Sequence, residues 1–333
     1  MKRLLLYCLM CLGLAAMPAA GAEILERADV RAFIADMSGR HGFPAAELEK
    51  IFSRVTISDS IIDAMTRPAE ALPWYKYRPI FVQRDRINLG VEFWRKHRTV
   101  LERASETYGV PAEIIVAIIG VETRYGRNMG RHKVIDSLTT LAFDYPARAD
   151  FFRSELEQYL LLTREQGIDP LSVQGSYAGA MGIPQFISSS YRRYAVDFDG
   201  DGHIDLINNP EDAIGSVANY FHVHGWRRGE RIAIAAKLNA ETATAAVTSG
   251  LEPDLPVADL AGLGIEPAAP VPGGGLVKLL EFEDQWNMEY WLGLPNFYVI
   301  TRYNHSALYA MAVFQLAGEI RERFYAKTAD RRD

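Results

Sequence analysis

Residues 111–126, PAEIIVAIIGVETRYG, constrain the fold more than any other stretch of the chain. Pro111 suits the first turn of a helix, where its missing N–H is not needed, and Gly126 suits the stop. Between them the apolar side chains run almost unbroken, so this helix has no solvated face and other elements must cover it on all sides. One carboxylate interrupts the run. Glu122 follows Ile115, Ile118 and Ile119 at helical spacing and shares their face. Desolvation disfavours a charged carboxyl, so Glu122 is predicted to be either paired or neutral. A carboxylic acid held protonated near neutral pH is what a general acid requires. A structural ion pair with Arg124 or Arg127 is the other outcome this stretch allows.

The first residues read as an export signal. Lys2 and Arg3 precede an apolar run from Leu4 to about Met17, and small residues lead to a cleavage point after Ala22. That run is too short to span a membrane comfortably. Both cysteines, Cys8 and Cys11, fall inside it, so the exported chain has no disulfide framework and relies on its core and on bound ions. Lipid modification of Cys11 is the competing outcome, and Met10 in place of a small residue argues against it. With 42 acidic and 36 basic side chains the net charge is -6, which argues against a nucleic-acid partner.

From Glu23 to about Gly109 the pattern is helical. Val30, Phe33, Ile34 and Met37 repeat at helical spacing, Pro44 opens a second helix, and Ser58 is placed to cap a third. After a loop from Pro68 to Pro79 holding Trp74, Tyr75 and Tyr77, one long helix is predicted from about Asp85 to Tyr108. That aromatic loop fits either core or a sugar-stacking wall. Beyond residue 126, Pro146 opens a helix ending near Gly167. The loop 174–186, QGSYAGAMGIPQF, follows; its small residues permit close backbone approach, and Ser176 and Gln185 offer hydrogen bonds. A tight structural turn is its plainer interpretation.

The segment 197–205, DFDGDGHID, is the most specific motif. Asp197, Asp199, Asp201 and Asp205 occupy positions 1, 3, 5 and 9 of an EF-hand-like calcium loop, Gly202 stands at the turn position, and His203 offers its backbone carbonyl. Position 12 departs from the pattern: it is Asn208 where a glutamate is expected, and either Glu211 or Asp212 is placed to fold back as the closing ligand. Carboxylates crowded this closely repel unless a cation sits among them, and an all-oxygen set favours calcium. A helix from Pro210 to near Gly225 carries Tyr220, with His222 and His224 as ordinary packing or surface residues. From about Arg227 to Trp291 the composition changes to Ala/Thr-rich and Pro/Gly-punctuated segments with some strand character. Residues 296–306 look extended, and a final helix follows to Tyr325. Tyr303, Asn304 and Tyr309 combine aromatic faces with amide and hydroxyl groups, a mixture that carbohydrate sites use and cores share.

Taken together, GVETRYGR around Glu122, GSYAGAMGIPQF at 175–186, the DFDGDGHIDL loop, EDAIGSVANYF and NFYVITRYNHS resemble the membrane-bound lytic murein transglycosylase B family, in the same order and over nearly the whole mature chain. The resemblance implies a mainly α (α+β) protein: a lysozyme-like core, an added α-helical part and a small β-containing insertion. The expected division is a signal peptide at 1–22, the α-helical part at 23–110, the catalytic core with its calcium loop at 111–226, the insertion at 227–291, and a segment completing core and cleft at 292–333. It implies a periplasmic, monomeric enzyme that cleaves the β-1,4 bond between N-acetylmuramic acid and N-acetylglucosamine in peptidoglycan without water, leaving 1,6-anhydromuramoyl ends. Its partners are glycan strands and proteins of cell-wall synthesis or turnover. Glu122 falls on the family's sole acid/base. Ser176, Gln185, Tyr220, Tyr303, Asn304 and Tyr309, with Tyr77 and Arg148, fall on glycan-binding positions. Structural Ca2+ would be held by Asp197, Asp199, Asp201, the carbonyl of His203, and Asp212. Hydrolytic glycosidases need two carboxylates, and only Asp136 and Asp144 stand near Glu122 in sequence. A hydrolytic muramidase would use one of these; a catalytically dead, calcium-dependent peptidoglycan-binding protein is the remaining rival.

Overall fold

The computed structural model describes residues 20–66, 72–239, 241–272 and 274–329. The expected leader lies outside the described residues as far as residue 19, as do Cys8, Cys11 and Pro68. The chain forms two compact units, one up to Ile57 and one from Ser58. The first contains α1 (Ala20–Glu26), α2 (Ala28–His41) and α3 (Ala45–Phe52). Val30, Phe33, Ile34 and Met37 of α2 are buried, as are Leu48, Ile51 and Phe52 of α3, and the Phe33 and Phe52 rings meet edge to face at 6.0 Å.

In the second unit, α4 (Asp59–Met65) and α5 (Trp74–Phe81) lead into α6 (Arg84–Lys96) and α7 (Arg98–Tyr108). The single long helix expected over 85–108 is therefore two helices, broken at His97, whose φ of -110° and ψ of 27° leave the helical region. The halves have different neighbours. The next helix, α8 (Ala112–Thr123), packs against both, while α7 also packs on a later helix, α12 (Pro210–Val223). Two partners in different directions cannot be met by one straight rod. Helix α8 has the burial its sequence demands: Ile114 through Ile119 are all 2% exposed or less. It ends earlier than Gly126, at Thr123, with Arg124 in the left-handed region as its C-cap.

Strand β1 (His132–Lys133) pairs antiparallel with β2 (Gln174–Gly175), flanking α9 (Val134–Asp144) and α10 (Ala149–Glu165). A 3-10 turn at Pro146–Arg148 precedes α10, so Pro146 opens that turn instead of the helix itself. This two-stranded tie fixes the start of the small-residue loop, which then leads to α11 (Ser188–Tyr194) and α12.

Strands β3 (Ala233–Leu238), β4 (Leu255–Pro256), β5 (Ile265–Pro267), β6 (Leu276–Glu283) and β7 (Met288–Gly293) form an antiparallel sheet in the order β4-β6-β7-β3-β5. Register sets Leu279 opposite Leu292 and Ala235 opposite Trp291. Ile234, Leu260, Ile265, Val277, Leu279, Leu292 and Leu294 give the sheet its own apolar core. Residues 296–306 are not extended. They begin as α13 (Pro295–Thr301), and after a turn α14 (Ala307–Ala329) follows. Pro295 supplies a preset φ at the first turn, and Asn296, Phe297, Val299 and Ile300 are all buried, which removes the periodicity a surface helix would show.

Because Ile118 is fully buried in α8, Ile118→Ala should cost about 2–5 kcal/mol in urea unfolding. Val223→Ala, at a half-exposed position, should stay within about 0.5 kcal/mol of the parent.

Candidate active site

Glu122 lies in the last turn of α8 and remains partly accessible while its carboxyl is desolvated. Burial pushes its pKa up from the ordinary 4.5 to about 7, and a hydrogen bond from Tyr309 pulls the other way. That bond, from the Tyr309 hydroxyl to Oε1, is 2.5 Å long. Among the described residues Glu122 forms no ion pair. Arg124, one candidate partner, turns instead to Asp85 on α6. No second carboxylate contributes to the shift at Glu122. Asp136 acts electrostatically on Tyr159.

Tyr309 is buried on α14, and desolvation first, then the Glu122 charge, hold its hydroxyl well above the usual phenol range. Tyr303 is raised for the same two causes, so both rings stay protonated donors beside the carboxyl. The Tyr303 hydroxyl donates to the Pro184 carbonyl at 2.6 Å, and Tyr220 donates to the Arg302 carbonyl at 2.5 Å. Their rings meet at 4.8 Å, with Phe186 5.9 Å from Tyr303 and 5.7 Å from Tyr220. Hydroxyls committed to main chain fix the tilt of these rings, and His224 stacks on the Tyr220 ring at 4.0 Å.

The loop after β2 supplies polar groups. The Ser176 hydroxyl oxygen accepts from the Ala178 and Ala180 amides at 3.2 and 3.0 Å, which leaves its proton free to donate. Gln185 has a φ of 51°, unusual for a side-chain-bearing residue. Its amide nitrogen donates to the Met129 and Gly182 carbonyls at 3.1 and 2.9 Å, leaving the amide oxygen as an acceptor. Gly182, with a φ of 75°, lies where a Cβ would strike the Leu206 carbonyl, so that backbone contact excludes any side chain. Thr123, beside Glu122, joins this loop to α8 by donating to the Ile183 carbonyl at 2.8 Å.

Tyr77 is buried between Trp74 and Phe81, and its hydroxyl acts electrostatically on Tyr309. Asn304 is exposed on the turn before α14, its carbonyl accepting from Ser306 at 2.7 Å. Arg148 is exposed, its guanidinium stacked over Phe151 at 4.3 Å. A cavity of about 590 Å³ beside the small-residue loop is lined by Gln166, Gln174, Gly182 and His203 and does not include Glu122.

The acidic loop is ordered by its own amides. Asp197 accepts from Gly200 and Gly202 at 2.8 Å each, and Asp201 accepts from the His203 amide at 2.8 Å. Backbone donors, Gly202 first, hold the Asp197 carboxyl below its usual range. Asp212 is fully buried in the first turn of α12 and accepts from Phe198 and Asp205 at 2.8 Å each. Oxygens of Asp197, Asp199 and Asp212 gather within 4.8 Å. Burial, with the Asp199 charge, pushes Asp212 up, so the group is short of positive charge. Glu211 turns away to Arg103 at 3.3 Å.

A family model described as the transglycosylase SLT domain matches residues 26–318 of this chain. The membrane-bound lytic murein transglycosylase B of Escherichia coli (strain K12) is 44% identical over 306 residues, covering 89% of this chain and 83% of that protein. Among solved structures, the catenated lytic transglycosylase SltB1 from Pseudomonas aeruginosa gives a TM-score of 0.86 at 54% identity, over 90% of this chain and 98% of its own. The Escherichia coli lytic transglycosylase Slt35 in complex with calcium gives 0.84 at 44% identity, over 90% and 95%.

The raised pKa of Glu122 has a sign that stability measurements check. The folded state holds the proton more tightly than the unfolded chain, so the contribution of Glu122 to stability is full below about pH 4.5 and is lost as pH rises to about 7. The loss amounts to about 3 kcal/mol. Glu122→Gln removes it, so this variant should be more stable than the parent at pH 8 and match it at pH 4 in urea unfolding.

Proposed function

The chain belongs to the transglycosylase SLT family and is a peptidoglycan lytic transglycosylase, and from that premise we propose that Glu122 alone serves as its acid and base. The observation that carries this is a partly accessible carboxyl with a pKa of about 7 and no second carboxylate acting on it. Neutral Glu122 donates its proton to the glycosidic oxygen of the departing N-acetylglucosamine as the bond from the muramoyl C1 breaks. The muramoyl N-acetyl oxygen supports the cationic centre. The 6-hydroxyl of the same sugar then attacks C1, and ionised Glu122 takes its proton, which returns the carboxyl to its starting state. No water enters, and the new end is 1,6-anhydro. Acid and base assistance of this kind is worth roughly 10²–10⁴-fold. The Tyr309 bond favours the ionised form, which supports the middle of the cycle.

In this proposal Ser176 and Gln185 offer the glycan a donor and an acceptor, and Tyr77, Tyr220, Tyr303 and Tyr309 line its site. Asn304 and Arg148, both exposed, offer it further polar groups. In this proposal the first residues act as an export signal, and the enzyme works on murein in the periplasm.

The acidic loop fits a hard cation by its donor chemistry: crowded oxygens and a buried Asp212 whose charge is uncompensated. Asp197, Asp199, Asp201, Asp212 and the His203 carbonyl would hold calcium, the ion with which Slt35 was solved. Its contribution is to neutralise the carboxylates and fix the loop to α12. Chelation should therefore lower the melting temperature by several degrees while activity at mild temperature changes less than about twofold, measured by thermal unfolding and a murein assay; instant inactivation of folded protein would contradict a structural role.

Glu122→Gln should fold, bind glycan and lose at least about 10²-fold in turnover. Mass spectrometry of parent digests should show muramoyl ends lighter by one water than hydrolytic ends, and kcat/KM should fall above about pH 7. Reducing ends of hydrolytic mass would refute the scheme.

A further inference from the structure

We infer that Arg86 and Tyr125 act as a paired clamp that positions Glu122, an inference that rests on Glu122 being the acid. Helix ends leave their last carbonyls without intrahelical donors. At the end of α8 a side chain from another helix donates to two carbonyls, that of Val121 and that of Gly120, which also accepts from the Arg124 amide at 3.2 Å. Arg86, on α6, donates through Nη1 to the Gly120 carbonyl at 2.6 Å and to the Val121 carbonyl at 3.3 Å. These are the two residues immediately before Glu122. The return contact comes from just after it, since the Tyr125 hydroxyl donates to the Arg86 carbonyl at 2.9 Å. Glu122 is thus bracketed on both sides by bonds to one residue of α6.

Space for the clamp is provided in advance. A Cβ at Gly90 of α6 or at Gly120 of α8 would lie 2.5 Å from the Tyr125 hydroxyl oxygen, so the two bare backbones form the slot that the phenol fills. The Tyr125 ring also packs on Phe93 at 5.6 Å. The backbone there is held in an uncommon state: Arg124 and Tyr125 are consecutive side-chain-bearing residues with φ of 53° and 64°. Such conformations persist where surrounding contacts over-determine them, and they cluster at reactive sites.

Arg86 is also an expensive way to cap a helix. Burial works against its charge, its Nε has no partner, and among the described residues no carboxylate pairs with it. Asp85, the adjacent acid, is engaged by Arg124. A carboxylate brought in to neutralise Arg86 would stand close to the Glu122 turn and push its pKa higher still. A guanidinium bonded to carbonyls, with Asp85 acting on it electrostatically but not paired with it, holds the turn without adding that charge. The groups that face Glu122 itself are the Tyr309 and Tyr303 hydroxyls. The clamp acts on the backbone that aims the carboxyl at them. A carboxyl that serves two oxygens in succession tolerates little misplacement, because an error of about 1 Å costs on the order of 10²-fold.

The test compares Arg86→Met, Arg86→Lys and Tyr125→Phe with the parent and with Glu122→Gln, on purified peptidoglycan across pH, with thermal unfolding alongside. Arg86→Met should lower kcat roughly 10–100-fold with KM within about threefold. As the carboxyl relaxes toward water, the basic limb of kcat/KM should move to lower pH. Arg86→Lys should recover part of kcat, since it keeps a cationic donor but loses the fork. Tyr125→Phe should cost roughly fivefold in kcat, with a limb shift of the same sign. Folded Arg86→Met with parental kcat and an unmoved limb would overturn the clamp. So would a fall in activity that only follows the fraction folded. If Arg86→Met does not fold, Tyr125→Phe decides alone, and parental behaviour in it overturns the proposal. Normal turnover by Glu122→Gln would instead remove the acid/base reading on which the clamp rests.

Discussion

A helix without a solvated face can carry a carboxyl only by changing the ionisation of that carboxyl or by pairing it. In α8 the second solution is absent. Glu122 meets isoleucines, a phenol and no cation, so burial sets its pKa near 7 and the Tyr309 bond limits the rise. Other features follow from keeping that environment closed. Helices α6, α7, α12 and α14 all pack on α8, and the side chain that donates to the carboxyl is a neutral phenol, Tyr309. A lysine or arginine facing the carboxyl would ionise it.

The acidic loop solves the opposite problem. There carboxylates are gathered, not isolated, and backbone amides make the gathering tolerable, as the proposed cation would do further. The two sites are mechanically joined by α12. Asp212 lies in its first turn, where the helix dipole favours negative charge, and Tyr220 stands eight residues on, about 12 Å along the axis. Fixing the start of α12 therefore fixes the Tyr220 ring beside Tyr303. A calcium ion in that loop would shape the glycan cleft without touching the substrate.

Much of this was legible in the sequence where local chemistry was decisive. The unbroken apolar run gave α8, the isoleucine spacing gave the environment of Glu122, and the spacing of Asp197, Asp199 and Asp201 with Gly202 gave the loop. Local chemistry failed where tertiary partners decide. Residues 296–300 resemble a strand because aromatic and β-branched side chains are common to strands and to helices buried on all sides. The break at His97 reflects the different neighbours of α6 and α7, which no periodicity records. Nothing in the local sequence marks Arg86 or Gly90. Their meaning depends on Tyr125, distant in sequence and opposite in space. Glu211 and Asp212 were equally eligible on spacing, and only the fold turns one toward Arg103 and the other toward Asp197 and Asp199.

A single acid that acts twice must bind its proton neither too tightly nor too loosely. In the proposed scheme a carboxyl raised to a pKa of about 7 is substantially protonated when substrate arrives, and its conjugate base is strong enough to accept from the 6-hydroxyl. Burial alone would overshoot, leaving an acid reluctant to donate. The phenol alone, in water, would leave a carboxylate with nothing to donate. The value arises from their opposition, and each contribution has a separate structural source: the apolar residues of α8 for one, and Tyr309 of α14 for the other. The positions of α8 and α14 relative to each other thus become a catalytic variable, and dense packing between them is the physical reason the value can be held constant.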